Sequence, residues 1–253
     1  MPALDPAFLK IPIAHRALHD ASQGIFENCR SAIIAAMGHG YAIEIDLQLS
    51  SDGRAMVFHD DMLNRLTDNS GNVSDYTAAE LTQIKVGTGQ DVIEPLEDIL
   101  RVIDGKVPLL IELEDQSRQL SQTDGRLEQS TIDALSSYQG PVAVMSFNPH
   151  MIESMAKLTP DLPLGLTTGS FKDLTWGIAA ERIAHLSQIA DFDPTRYSFV
   201  SHFALELASP RIQALKEQGT AIFTWTIRSP EAEAVARQTV DNITFEAYLA
   251  EHP

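Results

Sequence analysis

Only one cysteine, Cys29, occurs in the chain. An intrachain disulfide and a cysteine-built metal cluster are therefore both excluded. Basic residues are also scarce: 18 Lys and Arg face 35 Asp and Glu, for a formal charge of −17. A surface of that sign repels phosphate backbones, so no nucleic-acid partner is expected. It would repel a small phosphodiester too, unless a local positive site, most simply a bound cation, lies within the negative field. No apolar run is long enough to cross a bilayer, and Met1 to Lys10 lacks the basic-then-apolar pattern of a secretory signal. The expectation is a soluble protein of the reducing cytoplasm, without membrane insertion.

What is present bounds the fold. The 253 residues suffice for two ordinary domains or one large α/β barrel, and a hydrophobic fraction of 44% can build a sizeable core. Short β-rich runs alternate with helical patterns: Ile11–His15, Ala42–Leu49, Pro108–Glu114, Val142–Ser146, Pro163–Thr168, Tyr197–His202, Ala221–Ile227 and Asn242–Phe245. Alternation of this kind predicts parallel strands joined by crossovers, and eight of them suggest closure into a (β/α)₈ TIM barrel. Periodicity alone also admits an open doubly wound sheet.

Helix signals fit the same rhythm. Asn28 is a candidate cap for a helix over Cys29–Met37, with Gly38 and Gly40 ending it. Thr77 and Glu80 match a capping box. Pro149, Pro210 and Pro230 each sit where a first helical turn is expected. The stretch between Leu49 and Pro108 is too long for one loop and one helix. Gly53 turns the chain, Arg54–His59 reads as a short returning strand, and residues 60–106 are expected to form a small insertion lobe within a single domain spanning 1–253.

Glu44 and Asp46 lie at i and i+2 of a strand, so both carboxylates face one side while Ile43, Ile45 and Leu47 face the other. Two acids pointing into a barrel repel each other unless a hard cation, or arginines and helix N-termini, compensate them. Glu112 ends the next strand, at the edge where barrel active sites gather. Three carboxylates, Glu44, Asp46 and Glu112, suit Mg²⁺ or Ca²⁺ better than zinc. His15 ends the first strand and precedes Arg16, and His59 ends the returning strand. A histidine pair bracketing a metal-bound ester can supply a base and an acid near neutral pH, and an arginine can hold a phosphate oxygen. The remaining histidines, His19 among them, read as packed or surface residues.

His15-Arg16, Glu27-Asn28, Glu44-x-Asp46, Asp52-Gly53, His59-Asp60 and Glu112 resemble, in order and spacing, the motifs of the glycerophosphodiester phosphodiesterase family. Ser146-Phe147, Trp225-Thr226 and Val240-Asp241-Asn242-Ile243-Thr244 resemble its C-terminal half. The resemblance implies a (β/α)₈ barrel with an insertion after the second strand and one divalent cation on Glu44, Asp46 and Glu112. It implies His15 and His59 as the acid/base pair. Arg16, Asn28 and Trp225 would contact substrate, and Glu27 and Asn28 would organise the metal side.

Several positions depart from the family pattern. Ala17 replaces a glycine, Phe26 and Cys29 flank the Glu-Asn pair, Glu114 stands where the family usually has lysine, and Arg228 where it tends to have asparagine. Glu114 shares a strand face with Glu112. It is expected either to be held by Arg228 or Arg16, to read a cationic head group, or to turn to solvent. The resemblance implies hydrolysis of small glycerophosphodiesters to sn-glycerol 3-phosphate and an alcohol. A lyase that stops at a cyclic phosphate and a non-catalytic phosphodiester-binding barrel are the alternatives.

Overall fold

The computed structural model describes residues 2–171 and 177–252. In chain order the strands and α-helices are β1 (Ile13–Ala14), α1 (Arg30–Gly38), β2 (Ala42–Leu49), β3 (Ala55–Val57), α2 (Ala78–Leu81), β4 (Glu94–Pro95), α3 (Leu96–Ile103), β5 (Leu109–Leu113), α4 (Arg126–Leu135), β6 (Val142–Ser146), α5 (Pro149–Leu158), β7 (Leu164–Thr168), α6 (Ala180–Ser187), β8 (Phe199–Phe203), α7 (Pro210–Glu217), β9 (Ala221–Ile227), α8 (Pro230–Ala236) and β10 (Asn242–Phe245). Parallel pairing runs β1-β10-β9-β8-β7-β6-β5-β2, and β1 also pairs with β2, so eight strands close a barrel. This is the predicted (β/α)₈ architecture, and closure removes the open-sheet alternative. Among the described residues no helix is long and apolar enough to cross a membrane.

Strand alternation separates two kinds of interior. On β2, Ile43, Ile45 and Leu47 face the helices and join the core between barrel and helical ring. The other face carries Ala42, Glu44, Asp46 and Gln48 into the barrel. The barrel floor is apolar: Ile13, Ala42, Leu110, Ala143, Met145, Phe199 and Phe223 pack together with Phe8 from the N-terminal turn Pro6–Leu9. The buried acids Glu44, Asp46 and Glu112 lie instead toward the end at which the strands finish, which is the functional end of such barrels. Asn242, at the start of β10, is a buried polar residue at the floor and donates to the Phe8 and Ile11 carbonyls. A side chain at Gly165 would collide with the Phe199 ring, since an added Cβ would lie 2.4 Å from it. Gly165→Ala is expected to destabilise the protein by about 1–3 kcal/mol through overpacking. Urea unfolding would check this, and an unchanged midpoint would show that the ring can step aside.

The helices start where their sequences say. Asn148, Ser209 and Ser229 cap α5, α7 and α8 with their side chains, each followed by proline in the first turn. Thr77 and Glu80 form a reciprocal capping box on α2. Asn28 does not cap α1. Cys29 takes that position without a side-chain bond, while Asn28 adopts a left-handed φ of 58° and turns its amide to Asp46.

The stretch after β2 divides in two. β3 returns antiparallel to β2, and β4 pairs with β3. Residues from Leu63 to Ile93 gather a separate apolar cluster with Cys29, Met56 and Phe58. The end of the stretch expected to be a lobe is different. α3 buries Leu96, Ile99, Leu100 and Ile103 in the main core, so it is a helix of the barrel wall. The apolar stripe of α3, at helical spacing, is the reason it belongs there.

Candidate active site

The turn after β1 builds one side of the mouth. Arg16 and Ala17 have φ of 52° and 63°, two successive left-handed residues. That backbone lets Arg16 N–H donate to Glu44 Oε2 at 2.7 Å and Ala17 N–H to the Glu44 carbonyl at 2.9 Å. The left-handed φ at Ala17 explains why glycine suits this position.

One carboxylate oxygen from each of Glu44, Asp46 and Glu112 lies within 4.8 Å of the others. All three residues are buried, and Oε1 of Glu44 and Oε1 of Glu112 have no hydrogen-bond partner. β2–β5 pairing places Asp46 beside Glu112. Burial, then repulsion from Asp46 and Glu112, pushes the Glu44 carboxyl well above the usual range. Burial and Asp46 push Glu112 up to about 8. Orphaned, mutually repelling, oxygen-only donors are the set that a hard divalent cation satisfies, so the residues present fit such an ion. Asn28 fixes Asp46 in two directions: Nδ2 donates to Asp46 Oδ2 at 2.6 Å, and Oδ1 accepts from the Asp46 N–H at 3.1 Å.

Arg16 reaches across the acids. Its guanidinium donates to Glu27 Oε1 at 2.7 Å, and its Nε lies 3.5 Å from Asp46 Oδ2, buried and without a hydrogen bond. Glu27 is also gripped by Arg65, at 2.6 and 2.9 Å. Burial alone would raise the Glu27 carboxyl, but Arg65 and Arg16 outweigh it and bring it to about 2.

Each histidine has its own carboxylate. His15 Nδ1 lies 2.5 Å from Glu246 Oε2, and His59 Nδ1 lies 2.6 Å from Asp60 Oδ1. An ionised carboxylate only accepts, so both rings carry a proton on Nδ1 and turn Nε2 away from it. Their surroundings differ. Burial of His15 outweighs the hydrogen bond to Glu246 and lowers its pKa. Burial of His59 is outweighed by Asp46 and by the Asp60 hydrogen bond, and its pKa is raised.

One expectation needs correction. Glu114 points toward the mouth, but its ionic neighbour among the described residues is His59, with Oε1 3.6 Å from Nε2. Arg228 donates to Glu246 at 2.7 Å, and Arg16 is engaged by Glu27 and Asp46, so neither holds Glu114. The reason is position: β10 ends beside β1, which puts Glu246 nearer to Arg228 than β5 is. His19, read from sequence as an ordinary histidine, lies 3.7 Å from Glu246. Trp225 stands on the opposite wall, edge-on to Phe147 at 5.3 Å and tilted against Phe203 at 5.2 Å.

Sequence reasoning gave no role to Glu246, Asp60, Arg65 or Gln48. Glu246 could have been found by continuing the alternation Asn242, Thr244 one step past the last strand. Arg65 carried no such signal, because it reaches Glu27 and Asp60 from within the stretch between β3 and α2.

A closed parallel barrel with buried acids and carboxylate-backed histidines at its mouth defines a barrel enzyme. The chain belongs to the glycerophosphoryl diester phosphodiesterase family, whose model matches residues 15–246. It is 27% identical over 241 residues to the glycerophosphodiester phosphodiesterase of Caldanaerobacter subterraneus subsp. tengcongensis, covering 91% of each chain. Its fold resembles that of an Oleispira antarctica phosphodiesterase solved with the product sn-glycerol-3-phosphate (TM-score 0.73, 24% identity, 93% of each chain). It also resembles the glycerophosphodiester phosphodiesterase of Thermotoga maritima (TM-score 0.69, 19% identity, 93% of this chain and 94% of that one).

Proposed function

We propose that this protein hydrolyses small glycerophosphodiesters to sn-glycerol 3-phosphate and an alcohol, using one divalent cation, Mg²⁺ or Ca²⁺, and the histidines His15 and His59. The observation that carries the reading is the pairing of an orphaned three-carboxylate set with two histidines whose pKa values are displaced in opposite directions. Opposed shifts in neighbouring groups assign a base and an acid.

Glu44, Asp46 and Glu112 would hold the cation, which supplies electrophilic stabilisation to the phosphoryl oxygens. Arg16 presents a buried Nε–H without a partner to one of those oxygens. His15, neutral at working pH and oriented by Glu246, accepts the proton of the attacking hydroxyl on Nε2. His59, whose pKa is raised, donates its proton from Nε2 to the leaving alcohol oxygen. Cation binding would weaken the support of Asp46 for that proton, and Asp60 retains it. Arg228 acts through Glu246 rather than on substrate, and Trp225 offers an apolar face to the glycerol carbons. Glu114, beside the proton donor, favours an alcohol with a positive charge. A single cysteine, Cys29, free and buried, suits the cytoplasm, where we place the protein.

A product assay with glycerol, choline and ethanolamine diesters, with and without chelator, tests this. The expected result is glycerol 3-phosphate, faster release from cationic diesters, and no release under chelation. Accumulation of a cyclic phosphate would replace hydrolysis by the lyase reaction.

A further inference from the structure

We propose that the barrel mouth carries a second cation site, formed by Asp46, His59 and Glu114, which takes a transition metal such as Zn²⁺ and silences the enzyme by occupying His59. One ligand atom from each of these residues lies within 4.8 Å of the other two. The donor set contains an imidazole nitrogen, whereas Glu44, Asp46 and Glu112 offer oxygen alone. Mixed nitrogen and oxygen donors suit zinc, and oxygen donors suit Mg²⁺ or Ca²⁺. The two sites therefore differ in the metal they select and share only Asp46.

His59 is arranged as metal-binding histidines are. Its Nδ1 faces Asp60 at 2.6 Å, which directs Nε2 toward the site, 3.6 Å from Glu114 Oε1. A carboxylate behind the ring fixes its orientation and makes the free nitrogen a better ligand. Asp60 is itself held by Arg65 at 2.6 and 3.0 Å, so the support is continuous.

A separate observation points to a positive occupant. Gln48 follows Asp46 by two positions on the same strand face and is fully buried. Its amide nitrogen donates to the His59 carbonyl at 2.7 Å and lies 3.3 Å from Asp61 Oδ1. Its Oε1 is buried and has no hydrogen-bond partner. A buried amide oxygen left without a partner is destabilising, and a cation held at this end of β2 is the kind of occupant that satisfies it. Among the described residues no arginine or lysine forms an ion pair with Glu114 to compete for that place.

The silencing, unlike the site, rests on the acid role given to His59 above: a metal on Nε2 leaves that nitrogen no proton to give to the leaving alcohol. The test uses magnesium-saturated protein titrated with Zn²⁺ by calorimetry, with magnesium release followed in parallel. One zinc per chain is expected to bind without releasing magnesium, and turnover should stop in step with it. Glu114→Gln should weaken zinc binding by about tenfold or more, and raise by a similar factor the zinc that halves that variant's own rate. His59→Ala, read by binding alone, should lose the site and serves if Glu114→Gln does not fold. Zinc that displaces magnesium one for one, or binds both variants as tightly as the parent, overturns the proposal. Zinc bound at this stoichiometry with turnover unchanged upholds the site and counts against the acid role of His59.

Discussion

Removing the divalent cation with a chelator is expected to abolish turnover, and adding Mg²⁺ or Ca²⁺ to restore it. The same treatment should change how stability depends on pH. Without a cation, burial and neighbouring acids hold Glu44 far above its ordinary value of 4.5, and burial with Asp46 holds Glu112 at about 8. Between the ordinary value and the raised one, the folded protein binds more protons than the unfolded chain. Stability contributed by these groups is thus complete below about pH 4.5 and is lost as pH rises through about 8. Glu27 works in the opposite sense, but its contribution disappears only as pH falls toward about 2. Melting temperatures of the chelated protein should therefore drop by several degrees from about pH 5 to about pH 8. A saturating cation should remove much of that slope, because it replaces the protons, and Glu112→Gln should reduce it in the chelated protein. Turnover that survives chelation would defeat the metal-dependent reading.

His15→Ala and His59→Ala are each expected to lower kcat by about 10²-fold or more, the scale of positioned proton transfer. Both residues sit at the mouth, outside the apolar floor and the helix-facing core, so melting temperatures should change little. The two variants should differ in pH profile. Rate falls on the acid side as His15 becomes protonated and on the alkaline side as His59 loses its proton. Loss of His15 should erase the acid limb, and loss of His59 the alkaline limb. Glu246→Gln should cost less than loss of His15 itself, since the ring remains and only its orientation weakens. Wild-type turnover in either alanine variant would exclude that histidine from catalysis.

The strands were legible because burial on both sheet faces leaves a local trace. β2, β6, β9 and β10 have the predicted boundaries, and on β2 the alternation shows which residues face the barrel. The three carboxylates were legible for the same reason, as acids inside otherwise apolar strands. What escaped depends on contacts distant in sequence. Asn28 has the chemistry of a helix cap, but Asp46 competes for its amide and wins. Leu96–Ile103 looked like part of an insertion because nothing nearby marks where the chain rejoins the barrel. The partner of Glu114 was misread because the end of β10 draws Arg228 to Glu246.

The bond between His15 and Glu246 spans 231 positions. A ribosome must add the other seven barrel strands after His15 before it delivers the residue that orients that histidine. The β1–β10 seam, which brings these two residues together, also cannot form until then. Glu44, Asp46, Glu112 and His59 are all synthesised much earlier. On the proposed mechanism, emergence of β10 times the onset of activity, and an intermediate lacking it should be inert even when most of its wall has folded.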